Sequence, residues 1–267
     1  MKNILLLVHD DPGQEARFQA ALDIGRAVEG HLSCLDVTVI PALIGTDYVG
    51  DTEFVKLLDD ERQREATNRG KLEARLVHED LPWDWTDATG QIAHCLENAC
   101  ALADLIVVNR QLDAFPLPDM RNVAGELVLR SDTPILAVPE TLARFDLDSA
   151  LVAWDGSSAS AAALRAAVPL LRHARRVTIV EVQNRSIRAP AEGAATYLSR
   201  HDIHARIDRI KSGDRPAADL LLAKAASEAF GYIVMGGFGH RRFAEALFGG
   251  VTRTMLTKSP IPVFLTH

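Results

Sequence analysis

The chain has 267 residues, of which 48% are hydrophobic and 24% charged, with a formal net charge of −7. That balance excludes a disordered chain, a collagen-like repeat and a disulfide-dense mini-protein, and the length allows one large domain or two of about 130 residues. Residues 1–140 hold 25 acidic and 12 basic side chains, whereas residues 141–267 hold 11 and 17, so a net −13 stands beside a net +6. Such a split suggests two modules with different electrostatic tasks. The basic half has no dense Lys/Arg stripe, so no nucleic-acid partner is expected.

Met1-Lys2-Asn3 leads into five apolar residues, Ile4 to Val8, and His9-Asp10-Asp11 stops them. The run is too short for a signal peptide, and no run in the chain approaches the roughly 18–20 apolar residues of a bilayer span. A soluble cytoplasmic protein without a membrane partner is expected. Lys2–Val8 predicts a buried strand, 14–28 a helix rich in Ala and Leu, and Leu32–Ile40 a β-branched strand. The Asp10-Asp11 pair suits a cap for the helix near Gly13 or Gln14. Pro41–Thr52, with Gly45 and Gly50, reads as a loop before a charged helix at 53–75, and Pro82–Trp85 as a degenerate strand. Cys95 and Cys100 fall five apart on a helix; with Cys34 they form neither a CxxC motif nor a zinc spacing, and read as small core residues of a reducing compartment. Ala103–Asn109 is apolar throughout its centre, as a parallel strand covered on both faces requires. Thr133–Val138 closes the half.

The chain then repeats itself. Ala150–Trp154 followed by Asp155 parallels the opening strand and Asp10, and a helix at 158–173 and a strand at Arg176–Val182 follow. Phe230–Gly236 parallels Ala103–Asn109, and Ser259–Phe264 parallels Thr133–Val138. Pro262 marks that last run as an edge strand, because proline donates nothing to a ladder. Strands alternating with helices of 12–17 residues mean βαβ units and a doubly wound, mostly parallel sheet. Two α/β Rossmann-like domains, 1–140 and 148–267, account for the chain, with the boundary at Glu140–Asp148.

One segment carries chemistry. Gly236 follows the buried strand; Gly239 comes after two residues, Gly249 after nine more, and Gly250 directly after that. Glycines let a backbone approach a phosphate closely, successive N–H groups form an anion nest, and a helix N-terminus adds partial positive charge. The carboxyl ends of α/β strands are also where ligands bind. A Walker A loop is excluded because Gly250 and Val251 stand where Lys-Ser or Lys-Thr belongs, and neither half opens on GxGxxG. Ser157, Ser158 and Ser160 suit a helix start, and no GxSxG elbow exists. No catalytic residue is therefore assigned. His201, Asp202 and His204 sit at a helix-to-strand junction with nothing to complete a metal site, so no metal ligand is assigned. His240, Arg241 and Arg242 are candidate anion donors on the loop, while Arg253 reads as a surface residue.

The glycine pattern, the Asp155-Gly156-Ser157 turn and the closing Ser259-Pro260-Ile261-Pro262-Val263 resemble the universal stress protein family, as a tandem pair that is strong in the second half and weaker in the first. The resemblance implies five-stranded, adenine nucleotide alpha hydrolase-like domains, a stress-response role, and ATP, with Mg2+, held through G-x2-G-x9-G followed by Ser or Thr. Carried over by position, Ala153 and Asp155 would lie near the adenine or ribose and Val182 on the adenine. Met235 and Gly236 would meet the ribose and α-phosphate, and Gly239, His240, Gly249, Gly250 and Val251 would line the phosphates. Gly250 stands where the family has its hydroxyl; losing that bond weakens binding by roughly 1 kcal/mol, with Thr252 as a substitute. The first half has Asn109, Leu112, Val123 and Ala124 at the glycine positions and is read as structural or regulatory. The resemblance implies at most slow ATP hydrolysis. It also implies an internal pseudo-dimer through Pro134–Val138 and Pro260–Leu265, and leaves room for a homodimer of whole chains. The rival is a protein of the same fold acting through another anionic small molecule or through protein partners.

Overall fold

The computed structural model describes residues 1–40, 51–112, 119–183, 187–237 and 250–267. The first half runs β1 (Asn3–Val8), α1 (Gln14–Val28), β2 (His31–Val39), α2 (Asp51–Leu76), β3 (Trp83–Gly90), α3 (Ile92–Ala99), β4 (Leu105–Asn109), α4 (Met120–Arg130) and β5 (Ile135–Val138). The second runs β6 (Ser149–Trp154), α5 (Ser158–Leu171), β7 (Arg176–Gln183), α6 (Ala191–Ser199), β8 (Ala205–Lys211), α7 (Ala217–Ser227), β9 (Tyr232–Gly236), α8 (Gly250–Lys258) and β10 (Val263–Thr266). A single ten-stranded sheet results, in the order β3-β2-β1-β4-β5-β10-β9-β6-β7-β8. Every pairing is parallel except β5 with β10, where Ala137 opposes Val263, Leu136 opposes Phe264 and Ile135 opposes Leu265. The carboxyl ends of the strands therefore point to opposite edges of the sheet in the two halves.

The central strands are buried along their length, save for Gly236 at the end of β9, which explains their apolar sequence. One apolar cluster covers each face, and both clusters run through both halves. The outer strands differ. β3 carries Asp84 and Asp87, and β8 carries Arg206, Asp208, Arg209 and Lys211; charge on an outer strand discourages further pairing. Trp83–Trp85 looked degenerate because it opens such a strand. Pro262 calls for a correction. It stands just before β10, where its missing N–H is not needed, and its carbonyl accepts the Ile233 N–H at 2.9 Å. β10 is the edge of its own half alone and lies inside the complete sheet.

Cys34, Cys95 and Cys100 are free and buried; Cys100 begins a short 3-10 turn rather than extending α3. Among the described residues no helix is long and apolar enough to cross a membrane.

Candidate functional site

Strand register gives the equivalence between the halves. β1 sets Ile4 against Leu105 on β4, and β6 sets Ala150 against Tyr232 on β9. Superposing these pairs makes His9 the counterpart of Asp155, Asp11 of Ser157, Gly13 of Ala159, Arg17 of Ala163 and Asn109 of Gly236. The likeness of Asp10 to Asp155 in the bare sequence is thus one residue out of register.

In the second half the chain leaves β6 toward β7 on one side and later returns to β9 on the other. The carboxyl ends of β6 and β9 thus flank a topological switch point, the usual ligand crevice of this architecture. Ala153 is half-buried near the end of β6, and Asp155 lies just beyond it. Asp155 Oδ1 accepts the Ser157 N–H at 2.9 Å, and Ser157 in turn caps α5 by accepting the Ser160 N–H at 3.1 Å. Met235 and Val182 are buried members of one apolar cluster, and Ala153 and Val251 pack against it, so these four expected residues share a sheet face.

Gly236 ends β9 in close contact with the first turn of α5: a Cβ there would stand 2.5 Å from Ala159 C and from Ser160 N. Only glycine lets the strand end approach the helix start this nearly. Gly250, Val251 and Thr252 form the first described turn of α8. Gly250 is exposed, and a Cβ on it would meet nothing within 4 Å among the described residues. Thr252 is buried, and Arg253 is exposed. Gly239, His240, Arg241, Arg242 and Gly249 lie outside the described residues. His201 stacks on Tyr197, with ring centroids 4.7 Å apart.

The universal stress protein family model matches residues 147–267. The C-terminal half of this chain belongs to the universal stress protein family. Among solved structures, a universal stress protein from Archaeoglobus fulgidus DSM 4304 is similar over 99% of this chain and 97% of that one, at 15% identity and a TM-score of 0.76. A functionally unknown protein from Pseudomonas aeruginosa PAO1 is similar over 100% of this chain and 92% of that one, at 16% identity and a TM-score of 0.64. At such identities the likeness shows the fold, which extends over both halves as a tandem. Among curated proteins no sequence matches the chain.

The universal stress protein half has a glycine, Gly236, at its strand end, and the first half fills the equivalent place with side chains. Asn109 is fully buried at the end of β4 and lies over Gly13, where a Cβ would come 2.5 Å from Asn109 Oδ1. Its Nδ2 donates to Gly13 O at 3.2 Å and to Val138 O at 3.1 Å. Arg17, also fully buried, donates from NH1 to both Asp11 oxygens at 2.8 and 2.9 Å, from NH2 to His9 O at 2.9 Å and from Nε to Leu7 O at 3.1 Å, and bonds Asn109 Oδ1. Asp11 therefore does accept the Gly13 N–H, at 2.7 Å, but its main partner is an arginine, and the N-cap residue itself is Gly13 without a side-chain bond. Leu112, Val123 and Ala124 are buried as well. Reasoning from sequence missed Arg17. The available signal was its position: 17, 21, 24 and 28 fall on one face of α1, and the other three are apolar core residues.

Proposed function

We propose that the chain is a stress-response nucleotide-binding protein that holds ATP in its second domain, 148–267, while the first, 1–140, is structural or regulatory. The observation that carries this reading is Gly236, pressed against the backbone of the α5 first turn at the switch point between β6 and β9. A side chain at that place would separate strand end from helix start and fill the crevice. Asp155 accepts from the ribose hydroxyls, and Ala153, Val182 and Met235 offer the base an apolar face. The glycine loop from Gly236 through Gly239, His240 and Gly249 to Gly250, Val251 and Thr252 supplies backbone amides to the phosphates, with Mg2+ as the counter-ion the nucleotide brings. The N-terminal amides of α8 suit an anion, and among the described residues nothing stands within 4 Å of a Cβ placed on Gly250. The halves act as each other's dimer partner through β5 and β10.

Gly250 favours a second reading, in which the pocket takes a different anionic small molecule, because the hydroxyl implied at that position is missing. Mass spectrometry of the small molecules released when the purified chain is denatured, followed by ATP binding and turnover with Mg2+, separates the two. Bound ATP with negligible turnover is expected. Gly239→Val and Gly249→Val are each expected to abolish binding, and affinity that survives both changes overturns the site. A chain that binds no ATP supports the second reading, and rapid turnover would make it a hydrolase.

A further inference from the structure

We propose that the first half holds a divalent first-row transition cation between His9, Glu61 and Glu65, with the buried acid Asp36 of β2 beside them, at the carboxyl end of β1. This proposal is independent of the nucleotide reading. The residues come from three elements, and no spacing in the sequence marks them as a set.

The ligand atoms of His9, Glu61 and Glu65 lie within 4.8 Å of one another. His9 Nδ1 is 2.7 Å from Glu65 Oε1 and 4.0 Å from Glu61 Oε1, and the Val37 carbonyl oxygen stands 3.1 Å from the same nitrogen. Glu61 and Glu65 are one turn apart on α2, and the stripe they begin continues through Asn68 to Leu72 and Leu76, the face with which the helix covers the sheet. His9 is 3% exposed and Glu65 2%. Glu65 is held in place by the Asp10 N–H at 3.1 Å and by Asn68 Nδ2 at 3.2 Å. Arg64, half exposed, bonds Glu61 at 2.6 Å and lies 3.8 Å from Glu65 and from Asp10; it is a surface counter-ion that a bound cation would release.

Asp36 supplies the independent argument. It is 4% exposed, and its Oδ1 has no hydrogen-bond partner. Alternation along β2 puts it on the same face as Leu32 and Cys34, the face that α2 covers with Glu65. A buried carboxylate oxygen left unpaired is expensive and calls for a partner. The second half shows how the same position is satisfied. There the counterpart is Glu181, paired by register with Arg209, whose Nε donates to Oε1 at 3.1 Å, while the Ala191 N–H donates to Oε2 at 3.0 Å. In the first half the register partner of Asp36 is Asp87, a second acid. Glu65 and Asp87 set like charge around Asp36, with Arg69 bonded to Asp87 at 2.8 Å as a cation on that side, and a divalent cation relieves the remaining repulsion. One imidazole nitrogen with several carboxylate oxygens suits Mn2+, Fe2+ or Zn2+ rather than a thiophilic ion.

The test uses the full chain, stripped with a chelator and free of nucleotide, so that a metal carried by a phosphate in the second half does not contribute. Mn2+ is titrated in and the free ion followed by its electron paramagnetic resonance signal; Zn2+ is then added as competitor. One equivalent of Mn2+ bound below 100 μM, roughly the range in which weak protein sites still compete with water, is the expected result, with displacement by Zn2+ and a higher unfolding temperature in the metal-bound chain. Glu61→Gln, at a half-buried position on the surface of α2, is expected to keep the fold and weaken binding at least tenfold; Asp36→Asn is expected to do the same. Absence of stoichiometric binding by either ion overturns the proposal, as does unchanged affinity in a folded Glu61→Gln chain.

Discussion

The two halves share a strand order and differ in what stands at the end of the strand beside the first. In the second half the strand carries the glycine, Gly236, and the helix start carries Ala159; in the first half the helix start carries the glycine, Gly13, and the strand carries Asn109. Exchanging the position of one glycine decides which element projects into the crevice. With Asn109 projecting, Arg17 and Asp11 complete a buried hydrogen-bonded plug; with Gly236 in its place, the strand end carries no side chain of its own and the counterpart of Arg17 is the small Ala163. One backbone scaffold thus supports two different strand ends, and the difference rests on a few side chains rather than on topology.

The largest expected effect comes from breaking the plug. Arg17→Met leaves Asp11 buried without its cation and should lower stability by about 3–5 kcal/mol, read as a shift of the urea midpoint. Adding Asp11→Asn should restore much of the loss, because the uncompensated charge goes with it. Next comes Gly236→Val, which drives a side chain into the backbone of Ala159 and Ser160 and should cost about 1–3 kcal/mol. Combining it with Ala159→Gly removes only the methyl group from that contact, so a partial recovery is expected; full recovery would show that the backbone of α5 yields and that the close approach is not fixed. Ser157→Ala removes the α5 cap and should cost about 1 kcal/mol, whereas its counterpart Asp11 acts chiefly through Arg17.

The smallest effect concerns Asp104, whose counterpart is Gly231. Asp104 Oδ2 accepts the N–H groups of Lys2 at 2.5 Å and Asn3 at 2.9 Å. Burial works to raise its carboxyl, but those backbone donors, Asn3 first and then Lys2, outweigh it and hold the titration below the usual value of 3.8. A depressed folded value means stability present above the unfolded pKa and lost as pH falls through the folded one. Asp104→Asn should therefore cost less than about 1 kcal/mol at pH 7, given solvent screening. The gap between the two urea midpoints should close in strong acid; a gap that persists there would assign the effect to packing.

Much of the architecture was legible in the residues because parallel strands buried on both faces must be apolar along their length, as in Leu105–Val108 and Ile233–Met235. The repeat followed from those runs, and the glycine spacing gave a location for the candidate pocket. What stayed hidden shares one cause. Arg17, Glu65 and Asp36 are charged residues at core positions, and a charged letter reads as solvent-facing until the register of its helix or strand is known. Asp36 sits in a strand whose neighbours Leu35 and Val37 are core residues, yet only the pairing with Asp87 reveals that it faces another acid. Pro262 misled in the opposite sense. Its rule holds within its own half, but the partner strand belongs to the other half of the same chain, at Ala137 and Leu136.

The antiparallel seam between β5 and β10 has a consequence for how the molecule behaves on dilution. Two separate subunits joined by this seam would separate once their concentration fell below their dissociation constant, whereas a covalent tether keeps the effective local concentration of each half high at any dilution. Neither half needs to match a second copy of itself, so each is free to evolve a different chemistry at its own outward-pointing edge.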